Sequence, residues 1–316
     1  MNKHTLITGP VVLEPVLVER IWGAASLDPW HPGGRTDRPI GEIWLTAENC
    51  AVEAGGPEGS TLAELTAAAP EAFGDPNRQG FPVLAKLLFP REKLSIQVHP
   101  DDRQAQALGM PRGKTECWYI LEAQPGAELG LGFNQPLSKE QVAAAIQDGT
   151  IEDKLRRLTV SAGDMVFVDA GTVHSIGPGM VILETQQYSE TTYRLWDYGR
   201  PRELHIEAGT AAIRDDTRSG LVTPRPMNGF TRLVSCKYFI VDRFVLGYGN
   251  RVPLGEPDHL QILIALDSGS AVLDEEGVSV QLPFGQAVLL PATGNKHELI
   301  SANPKNTVMR ILQPSQ

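Results

Sequence analysis

From Gly163 to the end of the chain, short apolar runs alternate with turns that contain glycine or proline. Each run is too short for an average helix, and the runs recur at an even spacing, which is typical of an antiparallel sandwich or barrel. This pattern predicts a mainly β fold. The predicted strands are Met165–Asp169, Met180–Gln187, Thr191–Tyr198, Cys236–Leu246, Gln261–Leu266, Ser270–Asp274, Val278–Leu282 and Ala287–Leu290.

One unit of the sequence occurs twice. The segments Gly163–His174 (GDMVFVDAGTVH) and Gly285–His297 (GQAVLLPATGNKH) each combine a glycine turn, an apolar strand, a glycine-bearing turn and a histidine. Internal similarity of this kind predicts a repeated structural unit, so we expect two copies of one small β-barrel. Helices are expected only at about 60–75 and 138–158, where Glu64 and Gln141 complete capping boxes with preceding hydroxyl residues.

The formal net charge is −10, which argues against nucleic acid or an anionic membrane as a partner. Cys50, Cys117 and Cys236 are scattered without metal-ligand spacing, so we expect a reducing cytoplasm and no disulfide framework. The segment 1–23 carries Gly9 and Pro10 inside its apolar part, so we expect neither a signal peptide nor a membrane span.

The segment Lys93–Asp102 (KLSIQVHPDD) has the alternation of a strand. One face is apolar, and the other presents the polar side chains of Ser95, Gln97 and His99. A row of polar groups on a strand with an apolar back is expected at the floor of a binding site. The same pattern is equally consistent with an edge strand whose polar face is solvated.

The Gly-Asp, strand, Gly-x-x-His pattern resembles the second motif of the cupin barrels, where the histidine is an inward-facing metal ligand. The first cupin motif supplies two ligands at i and i+2, followed by a carboxylate. Gln97 and His99 fill the paired positions, Glu116 is the candidate carboxylate, and His174 is the second-motif histidine. This donor set suits Zn²⁺, and Fe²⁺, Mn²⁺ and Co²⁺ are alternatives. Without a metal, Glu116 would be a surface carboxylate and His174 a turn histidine.

Further segments extend the resemblance to one family, the type I mannose-6-phosphate isomerases in their short bacterial form. The segments that resemble the family are LSIQVHPDD, GKTECWYIL, GDMVFVDAGTVHSIG and ETQQYSETTYRLWDYGR, together with the N-terminal elements Trp22-Gly23 and Gly41-Glu42-Ile43-Trp44. The resemblance implies a zinc enzyme with one zinc ion per chain, held by Gln97, His99, Glu116 and His174.

The same resemblance implies roles for four other residues. The active-site arginine of the family falls on Arg194, its site lysine on Lys114, its acidic residue near the substrate on Glu184, and its phosphate-contacting serine on Ser95. Arg194 is expected to neutralise the phosphate or an enediolate.

The implied reaction interconverts mannose 6-phosphate and fructose 6-phosphate through an enediol. This reaction needs a Lewis acid on the substrate oxygens and an acid/base group near the carbon atoms. Glu184 and Lys114 are the candidates for the acid/base group, with His99 a third if it is not a ligand. The sequence does not decide among them.

Two other functions remain open from the sequence. Two histidines and a carboxylate also describe a non-haem iron site, so a cupin metal-dependent oxygenase is one alternative. The fourth protein ligand, Gln97, argues against it because oxygen chemistry needs vacant positions. A non-catalytic sugar-phosphate-binding protein is the other alternative, and the intact set of candidate residues argues against it.

The expected domain division follows from the two cupin-like units. Residues 1–205 should form the metal-binding catalytic domain, 206–224 a linker region, and 225–316 a second jelly-roll barrel without metal. In that second barrel, His259 and His297 could at most form a weak site. We expect a monomer or a homodimer that acts on a small sugar phosphate.

Overall fold

A computed structural model describes residues 7–31, 36–256 and 258–314. Strands dominate it, as predicted, so the mainly β fold class is confirmed. The strands before residue 200 are β1 Val11–Leu13, β2 Val16–Ala24, β3 Ile40–Trp44, β4 Val52–Ala54, β5 Val83–Leu88, β6 Ile96–Val98, β7 Glu116–Ala123, β8 Glu128–Phe133, β9 Leu155–Thr159, β10 Met165–Val168, β11 His174–Ile176, β12 Met180–Gln187 and β13 Tyr193–Trp196.

The strands after residue 200 are shorter on average and bounded by glycine turns. They are β14 Gly220–Leu221, β15 Arg225–Pro226, β16 Thr231–Ser235, β17 Ile240–Leu246, β18 Arg251–Pro253, β19 Gln261–Ala265, β20 Ser270–Asp274, β21 Ser279–Leu282, β22 Ala287–Leu290, β23 His297–Ser301 and β24 Asn306–Leu312. The predicted strand at Cys236–Leu246 begins only at Ile240, because Cys236 N–H donates to the Phe239 carbonyl in a turn (3.1 Å).

The described residues contain four helices, α1 Leu62–Ala68, α2 Asp102–Ala107, α3 Lys139–Gln147 and α4 Ile206–Ala212, and a 3₁₀ turn covers Ile151–Lys154. The capping boxes of α1 (Thr61 with Glu64) and α3 (Ser138 with Gln141) are formed as predicted. The structure differs from the predicted helical segments in three places: residues 155–158 lie in β9, and α2 and α4 lie outside both segments, α4 within the stretch expected to be a linker. Within the described residues, no helix is long and apolar enough to cross a membrane.

Two facing sheets surround one apolar core in the first part of the chain. A seven-stranded sheet has the order β14-β10-β7-β12-β5-β3-β2, and a five-stranded sheet has the order β13-β6-β11-β8-β9. Trp118 and Ile182 from the larger sheet pack with Leu129 and Ile176 from the smaller sheet in a single buried cluster. Side chains of both inner faces therefore form a common core, as in a β-sandwich.

A second pair of sheets follows the same plan. An eight-stranded sheet has the order β15-β16-β17-β24-β19-β22-β1-β4, and a four-stranded sheet has the order β18-β23-β20-β21. Phe244 and Leu263 of the larger sheet pack with Val272 and Leu299 of the smaller one. Strands β1 and β4, from the first 60 residues, belong to this pair of sheets, so the N-terminal part of the chain contributes to both units.

The two large sheets share a core on the faces that they turn away from their smaller partners. Tyr119 of β7 and Leu183 of β12 belong to the same buried cluster as Ile262 of β19 and Ile311 of β24. On β7, the alternation of a strand sends Cys117 and Tyr119 into this shared core and leaves Glu116 facing the other way. The division into domains stays a prediction, but this packing fixes which face of β7 is available for a site.

We expect Asp242 to be essential for the stability of the second unit. Its carboxylate is fully buried and ion-paired with Arg232 and Arg310, each at 2.8 Å. Asp242→Ala leaves the Arg310 guanidinium buried without a counter-charge, so the free energy of unfolding should fall by about 3–5 kcal/mol. Urea unfolding measures the change.

The exposed pair Arg38–Glu19 provides the control, because its side chains are 73% and 52% exposed. Arg38→Ala should change the free energy of unfolding by less than about 1 kcal/mol. Equal stabilities of the Asp242→Ala variant and the wild type would contradict the structural role of this buried network.

Candidate active site

Antiparallel register brings three of the predicted site residues into one row on the five-stranded sheet. Gln97 of β6 pairs with His174 of β11 on one side and with Arg194 of β13 on the other. His99 lies two residues beyond Gln97 and therefore shares its side of the strand. Glu116 comes from the facing sheet, at the first position of β7. The two inner faces thus meet at these residues.

His99, Glu116 and His174 form a compact buried cluster. His174 Nε2 lies 3.3 Å from Glu116 Oε1, and His99 Nε2 lies 3.6 Å from Glu116 Oε2. One ligand atom from each residue lies within 4.8 Å of the others. In the described parts of the chain, this is the only group of at least three histidine, cysteine or acidic residues with such spacing.

Backbone carbonyls orient both imidazole rings. His99 Nδ1 contacts the Thr191 carbonyl at 2.8 Å, and His174 Nδ1 contacts the Thr172 carbonyl at 2.9 Å. A carbonyl can only accept, so each Nδ1 carries a proton and donates it, which leaves the Nε2 lone pair facing the centre of the cluster. Burial lowers the pKa of His174 to about 4 and that of His99 well below its usual value. Both rings are neutral near pH 7, as metal ligation requires.

The carboxyl group of Glu116 has few partners for so buried a group. Neither oxygen accepts a hydrogen bond of good geometry, although Lys114 Nζ lies 3.0 Å from Oε2. Burial raises the pKa of Glu116 to about 8, and the Lys114 charge opposes this only in part. A buried carboxylate with unsatisfied oxygens beside two imidazole lone pairs is an arrangement that a cation would stabilise. The cluster is therefore a candidate metal-binding triad.

Gln97 lies at the edge of the triad. Its Nε2 is 3.2 Å from His174 Nε2, and its Oε1 accepts a hydrogen bond from Ser95 Oγ at 3.2 Å. The two ends of an amide are distinguished only by their hydrogen-bond partners. In the opposite orientation, Oε1 would face the triad as a fourth donor.

A cavity of about 470 Å³ opens beside the triad. Its lining includes all five of the other predicted site residues, which are Ser95, Gln97, Lys114, Glu184 and Arg194. Lys114 connects the cavity to the triad, because its Nζ also lies 3.1 Å from His99 Nε2. The structure thus brings every predicted site residue to the triad or to this cavity.

Among the charged residues of the cavity that the sequence analysis did not predict, Arg20, Glu42 and Lys86 form a chain of ion pairs that ends at Glu184. Lys86 lies 2.9 Å from Glu184 Oε2 and 3.7 Å from Glu42 Oε2, and Arg20 binds the other oxygen of Glu42 at 2.9 Å. Lys86 is 8% exposed and belongs to the nearly continuous apolar run Phe81–Phe89, whose composition is typical of a buried strand. The single lysine inside this apolar run could have indicated the ion pairs from the sequence, because a buried ammonium group needs a partner of opposite charge.

These ion pairs determine the charge state of Glu184. Burial acts to raise its pKa, but the adjacent Lys86 and the charge of Lys114 outweigh burial and hold the pKa below its usual value. Trp118 Nε1 donates a further hydrogen bond to Glu184 Oε1 at 3.2 Å. Glu184 is therefore a carboxylate near pH 7, in contrast to Glu116 in the metal-free protein.

Arg194 lines the cavity with an incompletely satisfied guanidinium. Its Nη1 donates to the Glu203 carbonyl at 2.8 Å, whereas its Nε is buried and has no hydrogen-bond partner. The nearest carboxylate, Asp197, lies 4.0 Å from Nε and is already paired with Arg202 at 2.6 Å. Arg194 thus keeps a donor for a ligand, with its side chain 18% exposed.

We expect metal binding to release a proton from Glu116. In the metal-free protein the carboxyl has a pKa of about 8, so it is mostly protonated at pH 7, and ligation requires the ionised form. Titration calorimetry of the metal-free protein at pH 7, in buffers of different ionisation enthalpy, should show release of about one proton per metal ion. The apparent affinity should rise with pH until about pH 8.

Glu116→Gln is the matched variant for this measurement. It should bind metal more weakly, and without the proton release, because the amide has no proton to lose in this range. The neutral histidines contribute none at pH 7. The same proton release in Glu116→Gln would assign it to another group.

Comparison with known proteins finds similar proteins over most of the chain. The profile of the type I phosphomannose isomerase catalytic domain matches residues 12–133. Mannose-6-phosphate isomerase ManA of Bacillus subtilis is 34% identical, with 89% of this chain and 95% of that protein aligned. Mannose-6-phosphate isomerase of Streptococcus mutans is 38% identical over 63% of this chain and 66% of that protein.

Solved structures agree with the sequence comparison. The crystal structure of the Bacillus subtilis mannose 6-phosphate isomerase superposes with a TM-score of 0.85 at 31% identity, covering 96% of this chain and 99% of that one. The apo enzyme from Salmonella typhimurium, at 15% identity and a TM-score of 0.77, covers 97% and 99% of the two chains and shares the fold. With one third of its residues identical to those of a full-length relative, the chain belongs to the type I phosphomannose isomerase family.

Proposed function

We propose that this protein interconverts mannose 6-phosphate and fructose 6-phosphate, with zinc as its metal. The observation that carries the proposal is the buried triad of His99, Glu116 and His174 beside a cavity lined with cationic groups. The enzymes that it resembles over most of its length carry the name of this activity. The cavity has a volume of about 470 Å³, within the usual range for small-molecule sites.

Four residues would hold one zinc ion per chain: Gln97, His99, Glu116 and His174. Their imidazole nitrogens and oxygens are a donor set that zinc accepts. A bound zinc ion would act as a Lewis acid that polarises the carbonyl and hydroxyl oxygens of the sugar. Because Glu116 is the only anionic donor, the ion would keep a net positive charge.

We propose that Arg194 and Ser95 bind the phosphate group. The cavity also contains Arg20 and Arg202, but their guanidinium groups are already paired with Glu42 and Asp197. Arg194 has a buried donor without a partner, and a phosphate oxygen could accept from it. A guanidinium suits this task because its planar fork matches the geometry of a phosphate.

The isomerisation moves one proton between adjacent carbons of the open-chain sugar. The C2 proton of the aldose is removed to give an enediol and a proton is returned to C1, while the O2 hydroxyl proton passes to O1. We propose that Lys114 and Glu184 serve these transfers, because both line the cavity. Glu184 is held as a carboxylate by Lys86, and Lys114 lies between the cavity and the triad. His99, with Nδ1 engaged by Thr191, is assigned as a ligand.

The alternatives of an oxygenase and a non-catalytic binding protein are not favoured. The characterised relatives are isomerases, and Gln97 stands where an oxygenase would need a vacant position.

Compartment, assembly and the role of the second unit are also proposals. The three cysteines are free, which supports a reducing compartment, and we propose the cytoplasm. We propose a monomer or homodimer in which the second pair of sheets binds no metal. In that unit, His297 is 6% exposed and its Nε2 has no partner, but no further ligand accompanies it among the described residues.

The main test of the proposed function measures zinc content and turnover in the same preparation. Elemental analysis should give about one zinc per chain, and a coupled assay should show turnover of mannose 6-phosphate. Chelation should abolish turnover, and zinc should restore it. A protein with full zinc that leaves mannose 6-phosphate unchanged would overturn the proposal.

The role of Arg194 can be tested separately from the metal. Arg194→Ala should keep its zinc and its fold but lose about 100-fold in kcat/KM, since it removes a donor to the phosphate or the enediolate. Arg194→Lys should restore only part of the loss, because an ammonium does not reproduce the fork.

Arg157→Ala is the control, since Arg157 is 44% exposed and pairs with Glu152 away from the cavity. Its kinetics should match those of the wild type. If Arg194→Ala also turned over at the wild-type rate, Arg194 would have no part in binding the phosphate.

A further inference from the structure

Lys114 lies on a short segment that no strand ladder holds. Strand β7 begins at Glu116, and Glu116 itself is paired with Val168 of β10 and Gln186 of β12. The preceding segment Gly113–Thr115 lies outside these ladders, and a backbone contact with the end of β12 reaches only its last residue, because Gln187 N–H donates to the Thr115 carbonyl at 3.0 Å. The backbone of Gly113 and Lys114 must therefore be positioned by other contacts, although this segment carries the lysine that touches both Glu116 and His99.

Three consecutive backbone N–H groups anchor this segment. Gly113 N–H donates to Asp102 Oδ1 at 3.0 Å, Lys114 N–H donates to the Pro100 carbonyl at 3.0 Å, and Thr115 N–H donates to Gln187 Oε1 at 2.9 Å. Two of the three acceptors are side chains. A segment with every N–H satisfied in this way has little freedom to shift.

The two side-chain acceptors are linked to each other. Gln187 Nε2 donates to Asp102 Oδ1 at 2.8 Å, so one amide and one carboxylate oxygen clamp the segment from both ends. Gln187 is 3% exposed, and its loss would leave the Thr115 N–H buried without its side-chain acceptor. We call this pair, Gln187 and Asp102, the clamp.

The clamp lies against tightly packed backbone. A Cβ on Gly113 would come within 2.5 Å of the Asp101 carbonyl carbon and 2.6 Å of the Asp102 nitrogen. The segment therefore sits directly on the start of α2 and cannot move inward. Release of the clamp would remove two of the three acceptors that hold the segment in this place.

We propose that Gln187 and Asp102 are positioning residues for Lys114 in the isomerase reaction. They touch neither the cavity centre nor the triad, and they act by fixing the backbone on both sides of Lys114. Lys114 Nζ must stay within about 3 Å of both Glu116 Oε2 and His99 Nε2, and a displacement of about 1 Å at a catalytic group can cost on the order of 100-fold in rate. The inference rests on the proposed function of Lys114.

The clamp variants should lower kcat without removing the metal. In Gln187→Leu, kcat should fall about 10–100-fold, while KM changes less than about threefold and zinc content stays near one, since Glu116 is kept in place by its ladders. Asp102→Ala removes the shared acceptor Oδ1 and should behave in the same way. Asp102 is half-buried, so this variant is expected to fold.

Asp102→Asn distinguishes positioning from charge. It keeps Oδ1 for Gly113 and Gln187 and changes only Oδ2, which faces the 77% exposed Lys237 at 3.3 Å. Its kcat should stay within about threefold of the wild type, and so should that of Lys237→Ala.

A buried glutamine in the other pair of sheets controls for general loss of stability. Gln261 is 4% exposed and hydrogen-bonded to the Leu254 carbonyl and Arg310. Gln261→Leu should lower the melting temperature but leave kcat unchanged below it. Hydrogen exchange should show faster exchange of peptides spanning 113–115 in Gln187→Leu and unchanged exchange there in Gln261→Leu.

The outcomes separate this inference from the proposed function. Turnover by the wild type tests the function, whereas the ratio of variant to wild type and the exchange of residues 113–115 test the clamp. Wild-type kcat in Asp102→Ala, equal losses in Asp102→Ala and Asp102→Asn, or a fall in kcat that follows zinc content would each overturn the clamp. If Gln187→Leu does not fold, the comparison of the two Asp102 variants remains decisive.

Discussion

The site depends on the register between β6 and its two neighbours. Pairing of Gln97 with both His174 and Arg194 puts an imidazole, an amide and a guanidinium side by side without any loop to position them. A slip of one residue would turn Gln97 and His99 into the apolar core. The apolar residues Ile96 and Val98 therefore stabilise the sheet and specify the site at once, because their burial on one side of β6 fixes Gln97 and His99 on the other.

Charge is concentrated on the facing sheet, where water is largely excluded. Glu42, Lys86 and Glu184 lie on adjacent strands and alternate in sign, and they are all less than 9% exposed. Each charge is stabilised by the next, since an isolated buried ion would be too costly. Glu116 stands apart from this row, because burial raises its pKa to about 8 and its oxygens lack hydrogen bonds. The row thus supplies a fixed carboxylate at Glu184, while Glu116 is left available for a cation.

Local patterns predicted those parts of the protein that depend on short-range sequence. The alternation at Lys93–Asp102 and the Gly163–His174 motif identified the candidate ligands, and the capping boxes completed by Glu64 and Gln141 identified the starts of α1 and α3. The roles of Lys86 and Glu42 in the site were not predicted, because they depend on the pairing of β5 with β3 and β12. No local sequence pattern encodes this pairing. Helix α4 was missed for a similar reason: its Gly209 packs against Leu195 of β13, where a Cβ would come within 2.5 Å. The position and helicity of this polar segment depend on that tertiary contact.

Lys114 is held in a different way from Gln97, Glu116 and His174, and the difference has a physical basis. Gln97, Glu116 and His174 are strand residues, so ladder hydrogen bonds fix their backbones. Lys114 precedes the first residue of β7, Glu116. At this place the side chains of Gln187 and Asp102 fix the backbone instead of a strand ladder. Ligand geometry tolerates little error, and strands provide the most rigid support. Because the backbone of Lys114 lies outside the strand, its precision has to come from a separate set of buried polar contacts.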